Sequence, residues 1–272
     1  MPNKQNLNLN DDAVYYGKEA NQAYMGVSQF KRFMDCEARA AAELNGSWER
    51  GTDSQPLIIG NYVHSFFEST ESHEAFKEEH KDKLFSKRKP YGLLKAYEQA
   101  DVMIQRISEE PLFKYLWQGT KETVVTGSLH SIEWKGKIDL LNVEKGYFVD
   151  LKTTADMRKR FYNERYGTYV SFVEHYGYVL QMAVYEQLLE LQYGKPFVGY
   201  IYAVSKQDTP EVCAIEVEQY KKEFELDYLA DNIGRIIDVK NEEEEPIGCG
   251  KCDYCKTFKK LDGFVTTEQL IG

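Results

Sequence analysis

The sequence predicts an α/β protein with a mixed central sheet, and three observations carry that expectation. Apolar residues recur with helical spacing near both ends of the chain. β-branched and aromatic residues cluster in short runs over residues 122–154 and again after Pro196. Between these runs lies a helical stretch, so the order reads α-α-α-β-β-β-β-α-α-β-β-α, with helices separating two groups of strands. No internal repeat is visible.

The 272 residues can bury a sizeable core, and the content of 29% charged and 42% hydrophobic residues is that of an ordinary soluble globular protein. No apolar run approaches the ~20 residues that span a bilayer, so no membrane association is expected. The opening MPNKQNLNLNDDAV lacks a basic and then apolar leader. A cytoplasmic location follows, in which disulfides are not expected. A net charge of −10 weighs against coating nucleic acid by bulk electrostatics. Local cations remain, in Lys81, Lys83, Lys87, Arg88 and Lys89 and in Arg158, Lys159 and Arg160.

In chain order, Ser28 suits an N-cap for SQFKRFMDCEARAAAEL, a helix that would contain Cys36. A second helix starts at Pro56, with Gly60, His64 and Glu68 on one stripe. Taken alone, His64 reads as a packed core residue. The charged stretch 73–89 fits an exposed helix or a loop over the active face, and Tyr91 to Glu110 fits a third helix. ETVVTGSL and HSIEWKG then read as separate strands. After Thr154 the chain turns helical through an aromatic-rich segment, 161–178. Its rings suit either stacking on unpaired bases or packing within the protein or a subunit interface. A long helix covers Phe172 to Tyr193 and places Gln181 and Tyr185 on one face. FVGYIYAVS and EVCAIEVE are strands, with Cys213 read as core, and 219–240 is an amphipathic helix.

The most informative stretch is KGKIDLLNVEKGYFVDLKTT, residues 135–154. Two apolar runs broken by Glu144-Lys145-Gly146 predict a hairpin. Asp139 would open one strand and Asp150 close the other, bringing them together at a sheet end. Lys152, two residues beyond Asp150, shares its face. Two carboxylates and an ammonium suit metal-assisted phosphodiester hydrolysis: hard divalent cations take oxygen ligands, and a lysine can orient water or offset charge on a phosphate. A solvated hairpin with an ordinary Asp/Lys pair is the plainer alternative. Near the C-terminus, CGKCDYC supplies Cys249, Cys252 and Cys255 at metal-ligand spacing. Zinc or an iron–sulfur cluster normally takes four thiolates, which leaves Cys36 or Cys213 for the fourth.

These pieces together resemble the PD-(D/E)XK nuclease superfamily in its RecB-like branch. The matching positions, over roughly 55–205, are Gly60 and His64, then Gly136, Ile138 and Asp139, then Asp150, Lys152 and Thr153, and finally Gln181 and Tyr185. The resemblance implies a restriction-endonuclease-like core of residues 56–218. An N-terminal helical extension (1–55) and a C-terminal segment (219–272) would be joined by a cysteine metal site. It implies that His64, Asp139, Asp150 and the Leu151 carbonyl ligate Mg²⁺ or Mn²⁺. Lys152 would position water, and Gln181 and Tyr185 would brace Lys152 and the phosphate. The second acid is Asp150 where many relatives carry Glu.

Over its whole length the chain looks like phage and prophage exonucleases similar to exonuclease VIII. That likeness implies 5′→3′ resection of double-stranded DNA ends in a bacterial cytoplasm, beside a single-strand annealing recombinase, and a ring-shaped homo-oligomer. It also implies a [4Fe–4S] cluster on Cys36, Cys249, Cys252 and Cys255, with Zn²⁺ as the alternative. A structure-selective or single-strand nuclease of the same fold, and a catalytically inactive binding module, are the competing expectations.

Overall fold

The structure, a computed structural model, describes residues 7–49, 51, 54–260 and 263–268. Residues 1–6 of the opening stretch, 50, 52 and 53 of the N-terminal extension, and 261–262 and 269–272 of the C-terminal segment lie outside the described residues.

Two short helices, α1 (Asp12–Tyr15) and α2 (Lys18–Ala23), lead into α3 (Val27–Asp35) and α4 (Glu37–Asn45). The single helix expected from Ser28 is therefore two helices. Gly26 caps the first, and Cys36 interrupts the run in an extended conformation, φ −170° and ψ 107°. The break turns the Cys36 thiol towards the backbone N–H of Cys249, 3.4 Å away. Pro56 sits in the first turn of α5 (Gln55–Glu68), where a missing N–H costs nothing. The charged stretch forms α6 (Thr70–Glu79) and α7 (Lys81–Leu84). Then α8 (Lys95–Glu109) begins later than Tyr91, because Leu94 is extended, and α9 (Pro111–Leu116) follows.

Next come β1 (Thr120–Leu129), β2 (Ile132–Asn142) and β3 (Tyr147–Thr154). Four strands were expected here and three are found, because HSIEWKG and KIDLLN are one continuous strand. The tight turn is at His130 and Ser131, whose φ values of 51° and 65° match a two-residue hairpin loop. Where a helix was expected, β4 (Phe161–Asn163) and β5 (Thr168–Val170) form a small hairpin. The long helix is likewise split into α10 (Phe172–His175) and α11 (Tyr178–Tyr193) at Gly177, whose φ of 65° suits glycine. The chain continues through β6 (Val198–Ser205), β7 (Val212–Glu216), α12 (Gln219–Lys240) and α13 (Asp253–Phe258). Cys213 is exposed on the edge strand β7 rather than part of the core.

The five-stranded sheet runs β1-β2-β3-β6-β7, antiparallel except for the parallel β3–β6 pair that α11 connects. On one face α3, α11 and α12 bury Phe30, Leu188 and Ile233 against Trp134, Phe148 and Ile201. On the other, α5, α8 and α9 bury Val63, Met103 and Phe113 against Leu140, Val149 and Leu151. The N-terminal helices and α12 thus share one core with the sheet. No helix among the described residues is long and apolar enough to cross a membrane.

Candidate active site

Alternation along β3 decides which side chains meet. Phe148 faces the α11 layer while Val149 and Leu151 face α5 and α8, so Asp150 and Lys152 point to the α11 side. In β2 the alternation slips. Ile138 and Leu141 pack on the α11 face and Leu140 on the other, which puts the irregularity at Asp139. Opposite it in β1 is Glu122, a non-glycine residue at φ 50°. A distorted strand at a group of charged residues is a common device for aiming side chains.

The same irregularity ends the β2–β3 pairing, whose last register pair is Leu140↔Val149. One residue further, the Asp139 side chain replaces the ladder: its Oδ2 accepts the Leu151 N–H at 2.7 Å. Asp139 and Asp150 therefore lie where two strands part, not at the strand termini as the sequence had suggested; both are inside longer strands.

Around them, Lys152 Nζ lies 2.5 Å from Asp150 Oδ2, and Gln181 Nε2 donates to Asp150 Oδ1 at 2.7 Å. His64 Nδ1, carried by α5, is 3.5 Å from Asp139 Oδ2. Burial pushes Asp139 up to about 7, assisted by the charge of Asp150. Burial also pushes His64 down to about 4, assisted by Lys152, so its ring is neutral at physiological pH. Burial works against the Lys152 ammonium, but Asp150 and Asp139 outweigh it and hold its pKa above the usual lysine range. An Asp139 carboxyl that resists ionising in its buried place beside Asp150, next to a neutral imidazole, belongs to a donor set that a hard divalent cation would relieve. They open into a cavity of about 700 Å³ walled by α5 and α6.

Two expected roles change in detail. Gln181 reaches Asp150 rather than Lys152. Tyr185 is buried with its ring against Gly136, where an added Cβ would come within 2.6 Å of Cε1. The glycine and the tyrosine of the motif thus fit each other. Gly60 plays a similar part, since a Cβ there would lie 3.3 Å from Thr153 Oγ1. The Leu151 backbone also hydrogen-bonds to His64, which favours the protonated ring without offsetting its burial.

Sequence reasoning missed the charged residues that flank this site. Lys137 Nζ contacts Asp12 Oδ1 at 2.8 Å and Glu122 Oε2 at 2.9 Å. Lys137 could have been found, because it is two residues before Asp139 in one strand. Glu122 depends on strand register and Asp12 on a fold-back of the N-terminal segment, pinned by Met25 N–H to Glu133 O and Lys135 N–H to Met25 O. Neither leaves a local signal. Lys31, whose Nζ donates to Tyr176 O at 2.8 Å, is pushed down to about 8 by burial and by Lys152.

The four cysteines expected at a second site do converge. Their sulfurs all lie within 4.8 Å of one another. Cys36 Sγ is 3.6 Å from Cys255 Sγ and 3.7 Å from Cys252 Sγ. Cys249 Sγ accepts backbone N–H groups from Lys251 and Cys252, which lower its thiol to about 6. Burial pushes Cys36 up to about 11. Four thiols at this spacing, one already stabilised as a thiolate, fit a metal centre.

The mixed sheet, with paired carboxylates and a lysine where β2 leaves β3, defines an α/β protein of the PD-(D/E)XK nuclease fold. The chain belongs to the family described as PDDEXK-like domain of unknown function (DUF3799), whose model matches residues 26–258. That match begins before Cys36 and ends beyond Cys255. The crystal structure of a candidate exonuclease from Eubacterium rectale superposes with a TM-score of 0.86 at 32% identity, covering 94% of this chain and 96% of that one. A further structure, of SSO0001, overlays at a TM-score of 0.31 and 13% identity over 84% of this chain and 90% of that one, too loosely to add to the argument. No curated protein matches the sequence.

Proposed function

We propose that this chain is a Mg²⁺- or Mn²⁺-dependent exonuclease that resects the ends of linear double-stranded DNA. The observation that carries the reading is the pairing of Asp139 and Asp150, with Lys152 2.5 Å from Asp150, at the mouth of a polar cavity. The likeness to the Eubacterium rectale protein supports exonuclease over other nuclease activities. His64, Asp139, Asp150 and the Leu151 backbone would hold the cation. When bound, a divalent ion polarises a phosphoryl oxygen and lowers the pKa of coordinated water. Lys152, held protonated, offsets negative charge on the phosphate, and Gln181 fixes the Asp150 carboxylate.

The reading extends to 5′→3′ polarity, to a ring-shaped homo-oligomer and to work beside a single-strand annealing recombinase in a phage-type pathway. These rest on the sequence resemblance. For the cysteines we infer a single tetrahedral ion of the zinc type. With Zn–S bonds of about 2.3 Å, tetrahedral geometry puts neighbouring sulfurs somewhat under 4 Å apart. Two pairs at 3.6 and 3.7 Å meet that and all four sulfurs lie within 4.8 Å of one another, closer together than the thiolates of a [4Fe–4S] cube, each of which binds a different iron.

Digestion of linear duplex labelled at the 5′ or the 3′ end, beside a closed circle, tests the activity. Linear DNA should shorten only with added Mg²⁺ or Mn²⁺, losing the 5′ label first, while the circle stays intact. Cutting of the circle would make the protein an endonuclease instead.

A further inference from the structure

The β4–β5 hairpin takes no part in the chemistry above, yet it is built with care. Its inner face packs inward: the Phe161 ring stacks on His175 at 4.0 Å, and Val170 is buried. Its outer face carries Tyr162 and Tyr169, which are cross-strand partners with ring centroids 5.6 Å apart. Both rings stand in solvent, 59% and 61% exposed.

The hairpin is anchored at its turn. Arg165 Nη2 and the Tyr166 hydroxyl both donate to Glu225 Oε1 at 2.5 Å, and Glu225 is fully buried on α12. Both donors fall on Oε1, while Oε2 has no hydrogen-bond partner among the described residues. A buried carboxylate is costly unless its charge is paired, so the Arg165 ion pair is what fixes the turn and with it the two exposed rings. Rings exposed on an anchored element are a surface for a partner.

What the rings would meet follows from the charge around them. Arg160 lies 5.5 Å from the Tyr169 ring and Lys159 lies 5.1 Å from that of Phe161. In a chain of net charge −10, cations are gathered here. From the hairpin's other face a second run of rings, joined to the platform through the backbone of Phe161 and Tyr162, leads to the carboxylate site. Phe161 is 5.7 Å from Tyr176, which is 5.9 Å from Tyr178. The Tyr178 ring then has Lys152 at 5.0 Å and Lys31 at 5.6 Å.

Alternating rings and cations complement bases and phosphates. A duplex hides its base faces, so only an unpaired strand offers both groups to such a strip. We propose that the β4–β5 hairpin is a stacking platform for a single-stranded segment of DNA continuous with the strand at the carboxylate site. Tyr162 and Tyr169 hold bases, and Arg160 and Lys159 meet phosphates. The proposal rests on the nuclease reading and adds to it that the substrate is unpaired over the nucleotides next to the site.

The test is fluorescence anisotropy of the full chain, without divalent metal, on a labelled oligothymidylate and on a blunt duplex. Tyr162→Ala/Tyr169→Ala should weaken single-strand binding about tenfold or more for each ring, with a much smaller change on the duplex. Tyr162→Phe/Tyr169→Phe, which keeps the rings, should bind as the original chain does. Arg160→Gln leaves the rings in place and keeps the test open should the alanine variant not fold; it should flatten the salt dependence of single-strand binding. Undiminished single-strand affinity in the alanine variant overturns the proposal, as does an unchanged salt slope for Arg160→Gln. Dissociation of an oligomer as the sole effect, seen by sedimentation, would make the hairpin a contact between copies. If the unsubstituted protein digests linear DNA with Mg²⁺ while the alanine variant binds normally, the platform alone is wrong. A protein that neither binds nor cuts DNA defeats both readings.

Discussion

His64, Asp139, Asp150 and the Leu151 backbone gather at one place in this molecule, and Cys36, Cys249, Cys252 and Cys255 at another, by opposite routes. The first set is mostly local. Three of its members lie on one hairpin, and the sheet that forms the hairpin also aims them. The second set is joined from afar: Cys36 and Cys255 are 219 residues apart in sequence, and the sulfurs meet only once α4 and α13 have packed together. The local site also stores repulsion, since Asp139 is pushed up by burial and by Asp150. The distant site, with the proposed metal bound, would tie residues 36 and 249–255 together. On the proposed reading the first arrangement acts and the second holds, and their responses to substitution should separate accordingly.

The largest effect is expected from Cys36→Ser. Closing so long a loop is worth about 5 kcal/mol in the chain-entropy account of a cross-link, and loss of one ligand gives up much of it. Urea unfolding of metal-loaded protein should show a drop of several kcal/mol, with cleavage per folded molecule retained. Cys213→Ser, on the exposed edge strand, should change neither. Metal analysis sharpens the point: a colourless protein with one zinc per chain is expected, and a brown one containing iron and sulfide would restore the [4Fe–4S] cluster. An unchanged unfolding midpoint in Cys36→Ser would deny the cluster any holding role.

Asp139→Asn should do the reverse. Loss of a charged ligand is expected to cut digestion of linear duplex about a thousandfold. The asparagine oxygen can still accept the Leu151 N–H, and the repulsion with Asp150 is gone. The metal-free variant should therefore melt at or above the temperature of the unsubstituted protein. A lower melting temperature together with near-normal cleavage would exchange the roles assigned to the two sites.

The contrast also explains what the sequence could reveal. Asp150 and Lys152 were legible as a pair because strand periodicity puts them on one face, and the Gly146 turn brought Asp139 near them, but the slip in β2 that aims Asp139 was not. The cysteine cluster was legible from donor chemistry and motif spacing, with the resemblance pointing to Cys36 as its fourth member. What stayed hidden depends on the tertiary fold. Cys36 breaks a helix that propensity alone would continue, because its thiol faces a distant segment. β2 was read as two strands because Gly136 interrupts its apolar run, whereas in the fold that glycine makes room for the Tyr185 ring without ending the strand. The β4–β5 hairpin escaped notice because strands of three residues carry too little periodicity, and its anchor, Glu225, lies on another element.

Gln181→Ala probes the local site at one remove. The amide donates to Asp150 Oδ1 at 2.7 Å and so would orient the proposed ligand without being one. Groups in that position typically matter ten- to a hundredfold, about 1.4–3 kcal/mol in metal affinity or activity. The expected signature is a raised Mg²⁺ requirement, with part of the rate recovered at high Mg²⁺. A loss that no Mg²⁺ concentration relieves would place Gln181 on the substrate instead.

The smallest effect is expected at Gly60, where helix α5 approaches β3. An alanine Cβ there would sit 3.3 Å from Thr153 Oγ1, a close contact with a side chain that can rotate away. Alanine also favours the interior of a helix over glycine by about 0.5–1 kcal/mol, which offsets part of the crowding. Stability should thus stay within about 1 kcal/mol of the original. Thr153 follows Lys152 directly, so a small shift there should cost cleavage only a few-fold. Gly136→Ala gives the comparison, because its Cβ would press within 2.6 Å of the buried Tyr185 ring, and overpacking of that kind costs about 1–3 kcal/mol. A loss of cleavage in Gly60→Ala as deep as in Asp139→Asn, with the fold intact, would mean that the seating of α5 on β3 sets the position of His64. The first site would then be no more local than the cysteine cluster.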